Sequence, residues 1–139
     1  MLDSGEIQRI RLKTRRLIAE QRAQVQDLLR LREHLGGSLI VRWAVCGKEG
    51  CACRKGQRHG PYYILSTRSG GKGGYTYLPE PQVARAQDLV ERHRRFQAGL
   101  KRLQRLNEDL VLALRRYREA TGRKALRALG DNQTRKAVV

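Results

Sequence analysis

The chain reads as a mainly helical α+β protein, with two long helices in an antiparallel coiled-coil hairpin and a small zinc-stabilised antiparallel β tip. Three observations predict this. Apolar residues recur at helical spacing through both ends of the 139-residue chain. The period changes to strict alternation in the middle. That middle also holds all three cysteines, in the order Cys46-x4-Cys51-x-Cys53-x5-His59.

The first segment, residues 1–36, predicts a helix from about Ser4 to Leu35. Its apolar stripe runs through Ile7, Ile10, Leu17, Val25, Leu28, Leu31 and Leu35, with Thr14, Gln21 and Gln24 as polar faults. Asp3 and Glu6 fit a capping pair at its start, and Gly36-Gly37 is a stop signal. About 30 residues at 1.5 Å each give a helix of roughly 45 Å.

In residues 37–78 the pattern becomes that of a sheet. Leu39, Val41, Trp43 and Val45 alternate with Ile40, Arg42, Ala44 and Cys46, which predicts a first strand. Residues 61–68 and 74–78 predict two more, joined through Ser69-Gly70-Gly71-Lys72-Gly73 as a hairpin end. Tyr62, Tyr63, Tyr75 and Tyr77 lie on these two strands. A sheet of three short strands is marginal by itself, which is a reason to expect a metal brace.

A second helix is expected over residues 79–121, opening at Pro79-Glu80-Pro81 and ending at Gly122. Two heptad rows run along it. One is Ala86, His93, Leu100, Asn107 and Leu114; the other is Leu89, Phe96, Leu103, Leu110 and Tyr117. His93 and Asn107 read as register-setting polar entries in that seam. This helix is about ten residues longer than the first, so its C-terminal part is expected to overhang. Leu106, Val111 and Leu112 lie off the rows, and homodimerisation through Asn107, Leu110 and Leu114 is the expectation for the overhang. Residues 122–139 read as a basic tail.

The formal net charge is +17 and the calculated pI about 11.0. In residues 36–81 seven Lys and Arg face two Asp and Glu. So large an excess makes a compact fold repel itself, and it points to a polyanionic partner such as DNA or RNA. No apolar run approaches the ~20 residues of a membrane span, and the opening residues lack the basic and apolar regions of a signal peptide. The expectation is a cytoplasmic protein without a membrane partner. An odd number of cysteines excludes a complete disulfide framework, and reduced thiols are free to ligate metal.

Three thiolates and one imidazole, from Cys46, Cys51, Cys53 and His59, form an established tetrahedral zinc set. Gly47, Gly50, Gly56 and Gly60 give the loop freedom to wrap an ion. Lys48, Arg54, Lys55 and Arg58 would offset the thiolate charge. An iron–sulfur cluster would call for a fourth cysteine. Four protein ligands leave no open position for catalysis, Glu49 is the one nearby carboxylate, and the H-x-E…P-C-x-x-C pattern of zinc deaminases is absent. The zinc is expected to be structural and the protein not an enzyme.

Gly37-Ser38-Leu39, Cys46-Gly47-Lys48-x-Gly50-Cys51-x-Cys53 and His59-Gly60-Pro61-Tyr62-Tyr63, followed by a Gly/Lys hairpin, resemble a family of small prokaryotic proteins known as a domain of unknown function. The resemblance covers about residues 35–105. It implies the same order of helix, Cys/His loop with strands, and helix, and an association with mobile elements. It implies no activity. The tail and the longer second helix fall outside it.

Two functions follow from the residues. In the first, zinc fixes a tip that binds DNA or RNA through Arg42, Lys48, Arg54, Lys55, Arg58, Arg68 and Lys72, with Tyr62 and Tyr75 among them, DNA being favoured. Such a protein would serve as an accessory subunit of a nucleoprotein complex. In the second, the chain is a coiled-coil adaptor with a protein partner, and zinc supplies stability alone.

Overall fold

The computed structural model describes the backbone of residues 2–69 and 72–133, and the side chains of residues 4–68 and 73–130. Helix α1 (Leu2–Arg30) is followed by strands β1 (Gly37–Ala44), β2 (His59–Ser69) and β3 (Lys72–Leu78), then helix α2 (Glu80–Gln133). A 3-10 turn, Ala52–Lys55, lies between β1 and β2. The fold is mainly helical α+β, with two helices and one antiparallel sheet of three strands in the order β1-β2-β3. Among the described residues, those up to 29 and from 99 onward form one compact unit, and those between 30 and 98 form another.

In the helical unit α1 and the later part of α2 run antiparallel. Gln21 Nε2 donates to Asn107 Oδ1 at 2.5 Å. Arg11 reaches the Tyr117 hydroxyl at 3.2 Å, and Arg123 pairs with Glu6 at 2.8 Å. The buried positions of α1 are Ile7, Leu17 and Leu28, with Ile10, Thr14, Gln21 and Gln24 half-buried between them. On α2 they are Leu106, Ala113 and Ala120, with Leu103, Leu110 and Tyr117 half-buried. Both sets step by three and four residues, and Leu17, Leu106 and Ala113 form a core cluster against which Leu110 packs.

The expected row through Leu103, Leu110 and Tyr117 is found on this face, whereas the other expected row, through Leu100, Asn107 and Leu114, is displaced by one residue. Leu100 and Leu114 are 37% and 49% exposed, and the inward row is Gly99, Leu106, Ala113, Ala120. Leu106, expected off the seam, is in the core; Val111 and Leu112 are exposed. The reason is steric. Small residues let two helix backbones approach: a β-carbon on residue 99 would lie 2.5 Å from Leu28 Cδ2, and Ala120 is wholly buried. Hydrophobicity alone favours the larger Leu100 and Leu114 for the seam, and likewise Val25, which is 38% exposed, over Gln24.

Helix boundaries also differ from expectation. α1 stops at Arg30 rather than Leu35, because residues 33–36 are engaged by α2. Leu35 N donates to the Leu89 carbonyl at 3.1 Å, His34 stacks on Phe96 with ring centroids 5.0 Å apart, and Arg85 reaches Glu33 at 3.1 Å. His93 contacts His34 through their Nδ1 atoms at 2.9 Å rather than lying in a helix–helix seam.

α2 does not end at Gly122 but runs through it to Gln133. A helical glycine costs about 1 kcal/mol. Buried Ala120 before it and the Glu6–Arg123 ion pair after it tie the helix to α1 on both sides of that glycine. The extra length of α2 is therefore at its beginning, where residues 80–98 belong to the sheet unit, and the expected C-terminal overhang is correspondingly short. Residues 134–139 of the expected tail lie outside the described residues.

In the sheet unit, β1 and β2 pair Leu39 with Leu65, Ile40 with Ile64 and Arg42 with Tyr62, then bulge before Ala44 pairs with His59. β2 and β3 pair Tyr63 with Leu78, Ile64 with Tyr77 and Ser66 with Tyr75. Ala86 and Val90 of α2 are buried in the same unit. None of the described helices is long and apolar enough to cross a membrane.

Candidate metal centre and its basic surround

Sheet pairing brings the ends of the cysteine loop together. Ala44 and His59 are register partners, so Cys46, two residues past Ala44, starts beside the first residue of β2. Between them the chain turns through Gly50 at φ 79°, then enters the 3-10 turn, in which Arg54 N donates to the Cys51 carbonyl at 3.3 Å. Gly56, at φ 109°, closes that turn. These positive φ values are where glycine avoids the strain of a β-carbon.

The four expected ligands are brought together. The Sγ atoms of Cys46, Cys51 and Cys53 and the His59 ring nitrogen all lie within 4.8 Å of one another. Cys46 and Cys53 Sγ are 3.5 Å apart, and Cys51 Sγ is 3.3 Å from His59 Nε2. Ligands about 2.0–2.3 Å from a tetrahedral ion are roughly 3.6–3.8 Å from each other, so a small inward adjustment seats a metal. Both the donors and their spacing fit a Cys3His metal site.

Electrostatics inside the cluster favour the thiolate at Cys51 and oppose it at Cys53. The backbone N–H of Cys53, followed by contacts with the Cys53 and Cys46 thiols and His59, lowers the Cys51 thiol to about 6. Cys53, 2% exposed, is pushed upward chiefly by burial. Its Sγ accepts the backbone N–H of Cys46 at 3.4 Å. A divalent ion would supply the charge that a buried thiolate otherwise lacks.

Gly60 locks the loop to the sheet. Its φ is 141°, and a β-carbon there would lie 2.9 Å from the Arg42 carbonyl and 3.0 Å from the Trp43 ring. Trp43 thus lies against the backbone that carries His59.

Arg42, Lys48, Arg54, Lys55 and Arg58 on or next to the loop are all exposed, as is Arg68 at the far end of β2. Among the described residues none of the six forms an ion pair with a carboxylate, whereas Arg85 and Arg92 of α2 are paired with Glu33 and Asp88. The side chain of Lys72 lies outside the described residues.

The expected tyrosines divide between faces. Strand alternation and register put Tyr62 and Tyr75 on the face of Arg42, Ile40, Ile64 and Arg68, while Tyr63 is on the opposite face with Val41, Leu65 and Leu78. Tyr77, not singled out by sequence, joins Tyr62 and Tyr75. Its two-residue spacing from Tyr75 was the signal available.

Asn107 and Leu110, the residues expected to serve oligomerisation, make the contacts within the helical unit given above, and Leu114 is exposed.

A family model described as a domain of unknown function (DUF6788) matches residues 8–88. The match takes in most of α1, the whole sheet and metal cluster, and the start of α2, and it begins nearer the N-terminus than the motifs alone indicate. No curated protein and no solved structure matches the chain.

Proposed function

From the premise that this chain belongs to the DUF6788 family, we propose that it is a non-enzymatic nucleic-acid-binding protein braced by a structural zinc ion. Cys46, Cys51, Cys53 and His59 hold the zinc. As a closed four-ligand centre, the ion stabilises the loop and performs no chemistry. The helical unit acts as a short antiparallel coiled coil, consistent with its three- and four-residue steps. The protein works in the reducing cytoplasm, as an accessory subunit of a larger nucleoprotein assembly, and DNA is its preferred partner.

The observation that carries this reading is the set of five exposed basic side chains on and beside the metal loop, Arg42, Lys48, Arg54, Lys55 and Arg58, none of them paired with a carboxylate among the described residues. Unneutralised positive charge held on a rigid loop attracts phosphates and displaces their condensed counterions. The remaining charge of the +17 chain adds long-range attraction.

Binding of labelled DNA across a salt series tests the proposal. Reversing Arg54, Lys55 and Arg58 to Glu should flatten the dependence of log affinity on log salt by about 0.7–0.9 for each phosphate that is no longer neutralised. Absence of binding at low salt would remove the proposal.

A second reading, a coiled-coil adaptor with a protein partner, is favoured by Val111, Leu112 and Leu114, which are 47–49% exposed on α2. It would stand if the same titration found no nucleic-acid affinity.

A further inference from the structure

We infer that one face of the sheet is a stacking platform for a single strand of DNA; this rests on the nucleic-acid reading above and specifies which form is bound and where. Its rows follow from the register. Arg42 is beside Tyr62, Ile40 and Ile64 are beside Tyr77, and Ser38 and Ser66 are beside Tyr75; Arg68 comes last, beside Gly73. An arginine thus stands at each end, with Tyr62 beside the first and Tyr77 and Tyr75 between the two.

Exposure separates this face from an ordinary packed sheet. Tyr75 is 75% exposed, Tyr77 66% and Tyr62 43%, whereas on the other face Leu65 is 8% exposed and Leu39, Tyr63 and Leu78 are half-buried, with Val41 at the β1 edge open at 56%. A tyrosine that served sheet packing would have its ring covered. Ile64, between Ile40 and Tyr77, is 5% exposed, so the platform has a closed apolar floor under its open rings.

The chemistry of these groups selects the ligand. Every base has a π-face that can lie on an exposed phenol ring, while arginines hold the phosphates on either side. Residues two apart on a strand are about 7 Å apart, roughly twice the ~3.4 Å repeat of stacked bases. Tyr75 and Tyr77 can therefore each take one base of an extended strand.

A duplex keeps its base faces stacked inside and offers only edges and phosphates, so exposed rings gain little from it. DNA is favoured over RNA because the row under Tyr77, Ile40–Ile64–Tyr77, is apolar, the hydroxyls of Ser38 and Ser66 being confined to the neighbouring Tyr75 row. Apart from the Tyr77 phenol, this row has no side-chain hydroxyl or amide to engage a 2′-hydroxyl.

Anisotropy titrations of the full zinc-loaded protein with a mixed-sequence DNA strand, its duplex and the RNA strand of the same sequence test this. The single DNA strand should bind tightest. Tyr75→Ala and Tyr77→Ala should each weaken it by about 5- to 150-fold, with duplex binding changed far less. Tyr75→Phe and Tyr77→Phe should stay near wild type, because stacking needs the ring and not the hydroxyl. Tyr75, the more exposed, keeps the test open if Tyr77→Ala loses its metal.

Duplex or RNA binding as tight as the DNA strand would overturn the inference, as would alanine variants that bind like wild type. Salt-dependent duplex binding insensitive to the tyrosines would overturn the platform and leave the nucleic-acid reading standing. No binding to any of the three would overturn both.

Discussion

Serine in place of Cys53 is expected to abolish stoichiometric zinc binding and unfold the sheet unit. Cys53 is the most buried of the four clustered residues, and its sulfur sits 3.5 Å from Cys46 Sγ and accepts the Cys46 backbone N–H. A serine hydroxyl is shorter and does not ionise near neutral pH, so it neither reaches the ion nor supplies the charge. Structural zinc contributes apparent free energies of about 10–16 kcal/mol, so one ligand in four corresponds to roughly 100- to 1000-fold in affinity. Three short strands are marginal without that contribution. Zinc-to-protein ratio and amide hydrogen exchange over residues 37–78 check the result. A variant with full zinc content and wild-type protection would show that the cluster is not a metal site.

The second large effect concerns the helical unit. Leu106→Asp should melt it, because the change removes a core side chain worth about 2–5 kcal/mol and leaves a carboxylate without a partner among Leu17, Leu110 and Ala113. Leu114→Asp, at a position 49% exposed, should change stability by less than about 1 kcal/mol. Thermal melts followed by circular dichroism compare the two. Equal destabilisation would put the seam on the wrong row. Zinc content should be unaffected by Leu106→Asp, since Leu106 and all four ligands fall in different compact units.

These two sites mark what could be seen in the sequence. The alternation of residues 39–46 and the paired tyrosines announced three strands, and the cysteine spacing announced the Cys3His cluster, because both are local patterns. The seam was less legible. Heptad counting over residues 86–117 ranks positions by hydrophobicity, but closeness of approach selected Gly99, Ala113 and Ala120 instead.

The end of α1 was hidden for a related reason. No local signal stops a helix at Arg30, whereas Glu33, His34 and Leu35 just after it are engaged by α2. Glycine at 122 misled in the other direction, since long-range packing outweighs its local cost. The division of tyrosines between two faces needed the strand register, which composition does not contain.

Metal and nucleic acid are coupled in the proposed function, because the zinc loop holds Arg54, Lys55 and Arg58 in place. The most direct test is one titration of labelled single-stranded DNA with the same protein before chelation, after it, and after zinc is restored. High affinity should fall at least about tenfold without metal and return with zinc, a difference of about 1.4 kcal/mol or more. Affinity unchanged by removal of the metal, or absent throughout, would contradict that coupling.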